Sequence, residues 1–213
     1  EIDATNESVR PESLILKRGT KLTTNLSGIR YDFALLNNES ANLNSATNKY
    51  TFNNISIAQG TLKSLLYRVD NDINNQKFQL ADSDADTSTL RVRVQDNERS
   101  TSYNIYTKFE SLLSVDSKAQ VYYLQENPSG FFEVYFGDGI TGFKPANNNI
   151  ITLDYVITEG IESNGANNFD MLDDINGYSS ITVTLASAAS GGAEEETMES
   201  IRFNAPLTFI SQN

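Results

Sequence analysis

The chain contains no histidine, no cysteine and no tryptophan in 213 residues. Without histidine there is no Ser-His-Asp triad and no imidazole base; without cysteine there is no thiolate nucleophile, no disulfide and no Cys/His zinc site. Basic side chains are scarce as well: 16 Lys and Arg stand against 28 Asp and Glu, a formal net charge of −12. Phosphate binding needs a basic stripe, and these cations are scattered, so nucleic acid is not an expected partner. Long apolar runs are missing too. The uncharged stretch between Gly177 and Glu194 is rich in Ser, Thr, Ala and Gly, so no membrane insertion is expected and no signal peptide is visible. The lack of cysteine suits a reducing or an oxidising compartment equally.

What the chain has in abundance is uncharged polarity: 24 Asn, 22 Ser and 18 Thr. These side chains compete with helical hydrogen bonds and favour turns. At roughly 100 to 200 residues per domain, the length suits one large domain or two small ones.

Period-two alternation marks strands with one wet face. It is cleanest where Leu90, Val92 and Val94 alternate with Arg91, Arg93 and Gln95, and recurs at Ile151, Leu153, Tyr155 and Ile157 and at Ile181, Val183 and Leu185. Aromatic and β-branched runs at 120–125 and 131–136 flank a five-residue gap with Pro128 and Gly130, which predicts a hairpin. Weaker strand signals lie at 13–16, 31–33, 54–58, 62–69 and 77–80. Two Asn-rich stretches, 37–48 and 164–178, lack periodic apolar positions and are expected as long surface loops. Glu194 to Glu196, Met198, Ile201 and Pro206 predict a helix over 193–205, acidic residues offsetting its dipole at the start and proline stopping it. The expected class is therefore mostly β (α+β), an antiparallel β-rich core with long loops and a C-terminal helix. Residues 1–190 form the β-rich region, with room for two subdomains, and 191–213 form the helix and the start of a following region. Glu1 in place of Met and the apolar end are those expected of a fragment of a longer chain.

Candidate sites were weighed by spacing. Asp82, Asp84 and Asp86 share the D-x-D-x-D pattern of calcium loops, but Thr87 replaces the Gly at the sixth position and Arg93 the Glu at the twelfth, which favours a solvated acidic turn. Ser117 and Lys118 are adjacent, and neighbours in an extended chain point apart, so Ser-Lys catalysis is not expected. Tyr122, Tyr123, Phe131, Phe132, Tyr135 and Phe136 could serve as a sugar-stacking platform, yet alternation puts only half of them on one face, and core packing is the simpler use. No catalytic residue, cofactor or metal is expected. The densest local signal is Phe136-Gly137-Asp138-Gly139-Ile140-Thr141-Gly142-Phe143-Lys144-Pro145, a tight turn directly after an apolar strand. No helical periodicity follows it, so it is not a phosphate cradle. Asp138 is expected to hydrogen-bond its own loop.

That segment resembles the baseplate J-like proteins of contractile-tailed phages and related injection machines, in which an apolar strand runs into F-G-D-G, a further Gly, a Pro and a strand ending in Y-x-x-x-x-G. The corresponding residues are Phe136 to Gly139, Gly142, Pro145, Ile151 to Tyr155 and Gly160, followed by Asn164 with Gly165. Leu16 to Thr20 with Tyr31 and Phe33, Ile57 to Gly60, and Gly191, Gly192, Glu195, Glu196, Glu199, Arg202, Ala205 and Pro206 agree in order. The acidic, Asn-rich sequence with long insertions looks most like the wedge members of the family from T-even phages. The resemblance implies a non-enzymatic structural subunit of a tail baseplate in the virion, assembled in the host cytoplasm. It also implies contacts with other baseplate wedge proteins and with itself as a homodimer within a larger ring. Met198, Ile201, Leu207, Phe209 and Ile210 are its expected interface residues. The alternative class is a carbohydrate-binding or adhesive tail module.

Overall fold

A computed structural model describes residues 1–110, 116–171 and 173–193. Fourteen strands and no helix occur among these residues, which corrects the expected α+β class to all-β. The physical reason is compositional: β-branched and aromatic residues alternate between Asn- and Gly-rich turns, and no apolar pattern of period 3.6 interrupts them. The expected helix over 193–205 falls, from Glu194 on, outside the described residues. So do Met198, Ile201, Leu207, Phe209 and Ile210.

The strands divide into two regions. The first contains β1 (Ile2–Asp3), β2 (Ser13–Leu16), β3 (Lys21–Leu26), β4 (Ile29–Leu35), β5 (Glu39–Asn44), β6 (Lys49–Tyr50) and β7 (Ile57–Gln59). They make a four-stranded sheet, β1-β6-β5-β2, and a three-stranded sheet, β3-β4-β7. Leu14, Leu16, Leu35, Ala41 and Tyr50 bury a common core between them. The rest of that core arrives from far along the chain. Ile175 and Tyr178 complete it, while Ala166 and Phe169 complete a second cluster with Leu22, Tyr31 and Phe33. The returning chain is tied in by bridges from Ile2 to Ile181 and from Thr23 to Asp170.

The second region is contiguous: β8 (Thr61–Arg68), β9 (Phe78–Gln79), β10 (Ala85–Gln95), β11 (Asn104–Lys108), β12 (Val121–Glu126), β13 (Phe132–Phe136) and β14 (Ile150–Ile157). They form one sheet in the order β8-β14-β10-β11-β12-β13-β9, antiparallel except for the β11–β12 pair. Although β8 and β9 occupy opposite edges, the Tyr67 hydroxyl donates to the Gln79 carbonyl at 2.5 Å and the Tyr67 and Phe78 rings lie 5.5 Å apart. The sheet therefore curls until its edges meet, wrapping Val92, Val94, Tyr106, Tyr122, Val134, Ile151 and Leu153 into one interior cluster.

The alternating segments at 90–95 and 151–157 become central strands whose apolar sets face this interior. The 37–48 stretch contains β5, contrary to its expected loop, because Ala41 and Leu43 turn toward the core while the Asn residues between and around them mask the alternation. Ile181, Val183 and Leu185 do not form a strand. Only Ile181 finds a bridge, to Ile2 on the edge strand β1, and Val183 and Leu185 are exposed, since the edge that β1 offers is two residues long. Asparagine supplies five of the six non-glycine positive-φ residues described (Asn48, Asn54, Asn75, Asn148 and Asn176), a use suited to its tolerance of the left-handed region.

Candidate functional site

The F-G-D-G turn is built to hold shape. Asp138 Oδ1 accepts from the Ile140 and Thr141 amides, both at 2.9 Å, and these bonds hold its carboxyl below the usual carboxylate range. A Cβ on Gly137 would lie 2.3 Å from the Thr141 carbonyl oxygen, so the turn closes only over glycine. Gly142 donates to the Asp116 carbonyl at 3.0 Å and Phe143 to that of Ala119 at 2.8 Å, stapling the loop to the turn that enters β12. Pro145 leads from it toward β14. Both hydrogen-bond donors to Asp138 are backbone amides of its own loop.

Alternation splits the aromatics as the strand period requires. Tyr122 and Phe136 join the interior, while Tyr123 and Tyr135 stand outside, stacked at 5.1 Å with 15° between planes. Phe109 packs on Tyr123 at 4.7 Å. Because these rings cover one another's faces, they offer a sugar little free stacking area. Burial pushes the Tyr106 phenol up to about 12 and raises Tyr122 as well.

The three aspartates of the D-x-D-x-D segment do not converge. Asp82 pairs with Lys63 at 2.8 Å and accepts from the Tyr155 hydroxyl at 2.6 Å; Asp84 accepts from Ser83; Asp86 caps the Ser88 amide. Burial pushes the Asp82 carboxyl up, but Lys63 and Tyr155 outweigh it and leave the group below its ordinary range. Among the described residues no cluster of acidic side chains has metal-binding geometry. Ser117 and Lys118 sit in a turn where Asp116 caps the Lys118 amide, and among the described residues no side chain hydrogen-bonds the serine hydroxyl.

Two polar features were invisible to spacing. One is an open cleft of about 370 Å³ where the regions join, lined by Arg30, Asp32, Gln59 and Glu159 among others. Its groups already satisfy one another: Arg30 pairs with Asp32, and Gln59 Oε1 accepts from Thr158 and from the Glu159 amide, both at 2.8 Å. The other lies on the outer face of β14. Asp154, only 8% exposed, accepts from Arg93 at 2.8 Å and from Ser64 at 2.5 Å. Arg18, on the turn between β2 and β3, donates to the Thr89 carbonyl at 2.8 Å and spans the two regions. Burial and the charges of Arg91 and Arg93 push Arg18 below the usual guanidinium range, with only Asp154 pulling it back. No local motif links Arg18 to Asp154, because 135 intervening residues are folded before they meet.

The arrangement is that of an all-β module whose polar groups brace strands, turns and the junction between regions, with aromatic and arginine side chains left on its outer face. Residues 65–158 match the family described as bacteriophage baseplate wedge protein gp6, third domain. The chain is also similar to the baseplate wedge protein gp6 of Enterobacteria phage T4, 29% identical over a stretch taking in 44% of this chain and 17% of the relative. The matched span runs from the middle of β8 to just past the end of β14, covering most of the curled sheet.

Proposed function

We propose that this chain is a structural, non-enzymatic part of a phage tail baseplate in the virion, acting in the wedge through protein contacts. The observation that carries the reading is that overlap: similarity to a gp6 third domain runs from within β8 to just past β14 and so covers nearly all of one folded unit. Its chemistry agrees, since the named carboxylates cap turns or pair with cations and none is poised against a nucleophile. The motifs outside the matched span, Leu16 to Thr20, Ile57 to Gly60 and Asn164 with Gly165, support extending the likeness to a baseplate J-like organisation of the first region as well.

In this reading copies associate with one another and with other wedge proteins in a ring. Contacts that hold yet rearrange when a tail contracts suit moderate, partly polar interfaces. Electron microscopy of assembled particles with the chain tagged at Glu1 tests the location: density in the baseplate supports it, and density on a fibre overturns it. Sedimentation velocity over a wide concentration range tests association. Strictly monomeric behaviour, with no binding to purified wedge components, overturns the partner assignment.

A further inference from the structure

The outer face of β8, β14, β10 and β11 gathers positive charge in a chain whose net charge is −12. Arg91 lies opposite Asp154 in the β10–β14 register, Arg93 follows two residues later on the same face, and Arg18 reaches over from the first region. Three guanidiniums thus gather around one carboxylate, which only Arg93 binds directly. Asp154 is engaged by Arg93, and one Arg18 amino group is spent on the Thr89 and Asp154 carbonyls. The Nε atoms of Arg18 and Arg93 are buried without an acceptor among the described residues. Arg91, half-buried, has no hydrogen bond or ion pair among those residues. The two Nε atoms are closed to a partner, so the anion-binding capacity open on this face is that of Arg91 and of the remaining amino groups of Arg18 and Arg93.

Apolar groups flank the cations. Leu66 lies opposite Thr152 and Ile105 opposite Arg93, and they are 68% and 47% exposed. The Tyr103 ring, 43% exposed, sits 5.1 Å from the Arg93 guanidinium carbon. Arginine and tyrosine beside aliphatic groups are the composition of interface hot spots. Two copies of this face across a two-fold axis would set guanidiniums against guanidiniums, so it is not self-complementary.

We propose that this face docks a segment of a different protein that carries carboxylates beside apolar side chains, the carboxylates held by Arg91 and the open rims of Arg18 and Arg93, the apolar groups lying over Leu66 and Ile105. Because Arg18 belongs to the first region, the bound segment also bridges the two regions. From the baseplate reading the inference takes only that the neighbours are proteins.

The test uses the 213-residue chain and a fluorescent random copolymer of glutamate and tyrosine, titrated by anisotropy at low ionic strength. Saturable binding is expected, weakened at least about tenfold by R91E, less by R91Q, severalfold by L66S, and lost at high salt. Leu66 is exposed and the Arg91 side chain makes no hydrogen bond or ion pair among the described residues, so L66S and R91Q are expected to keep the parent melting temperature. R91E sets a carboxylate opposite Asp154 and lowers it, so loss of binding in R91Q and L66S is what separates lost binding from lost structure. No saturable binding, or binding indifferent to R91E, overturns the proposal. Polyphosphate binding as tightly as the copolymer overturns its carboxylate specificity. If the copolymer fails while the tagged chain still enters baseplates, this face assignment falls and the baseplate reading stands.

Discussion

The two regions of this chain are both β, yet they are closed in different ways. The curled sheet of residues 61–158 closes on itself: β8 and β14 pair along eight residues, and Tyr67 joins its far edge to β9. The first region cannot close from its own contiguous residues. Its strands are mostly short, with β1 and β6 of two residues each, and it borrows Phe169, Ile175 and Tyr178 from the chain after β14. The difference teaches where autonomy lies. A segment that enters at Thr61 and leaves at Ile157, paired with each other, can be inserted into a host without disturbing the host's strand order.

The sharpest way to break the comparison is at the seam itself. Gly60 holds φ at +120°, and a Cβ there would lie 1.9 Å from the Ile157 carbonyl oxygen. Gly60→Ala is expected to cost more than about 4 kcal/mol at the junction, enough to unfold the first region as read by circular dichroism and gel filtration, while the curled sheet, which closes without Gly60, stays folded. Next comes the curled core. Leu153→Ala, at a site with no exposure, should cost about 2–5 kcal/mol in denaturant unfolding, while a 61–158 fragment carrying the native residue should still unfold cooperatively. A fragment that does not fold would show that this sheet depends on the first region to cover the outer face of β14.

Smaller effects separate the two closures. Tyr67→Phe removes the bond that joins the edges of the curled sheet, and Tyr178→Phe removes the 2.7 Å bond to the Val9 carbonyl that ties down the returning chain. Each should cost about 1 kcal/mol, and hydrogen exchange should report the loss in its own region only. The smallest effect expected is in acid. The Asp82 carboxyl is depressed, so its contribution is present above the unfolded value near 4 and is lost as pH falls through the folded value. With Lys63 about a third exposed, Asp82→Asn should cost no more than about 1 kcal/mol at neutral pH and flatten the acid limb of stability correspondingly. At the other extreme Tyr106 is raised to about 12. The neutral phenol is favoured, so its stabilisation is full below about 10 and is withdrawn as pH rises through the folded value, which an ultraviolet phenolate titration reads directly.

How much of this was legible follows the same division. Strands β10, β12 and β13 were readable because one face of each meets a dry interior and the period of two survives; β14 was readable from its alternating apolar set, although the face expected to be wet, with Thr152, Asp154 and Val156, is buried too. The turn at Gly137 to Pro145 was readable because its glycines are demanded by local backbone geometry. By contrast β5 hid behind asparagines, and the Ser27-Gly28 hairpin turn, with φ of 54° and 88°, offered only a serine and a glycine between Leu26 and Ile29. The helix expectation over 193–205 rests on charge placement and a proline, and from Glu194 on it lies outside the described residues.

By itself the amino-acid sequence determined that thiolate and imidazole chemistry is absent, that turns are plentiful, and that the central strands alternate apolar and polar residues. These are local properties, set by side-chain type and by the alternation of the extended backbone. Only the tertiary structure decided that 61–158 closes on itself while the first region is completed from downstream, and that Arg18 meets Asp154 beside Arg91 and Arg93. Such meetings depend on sheet order and curvature, which bring together residues more than a hundred positions apart and leave no periodic mark on the chain.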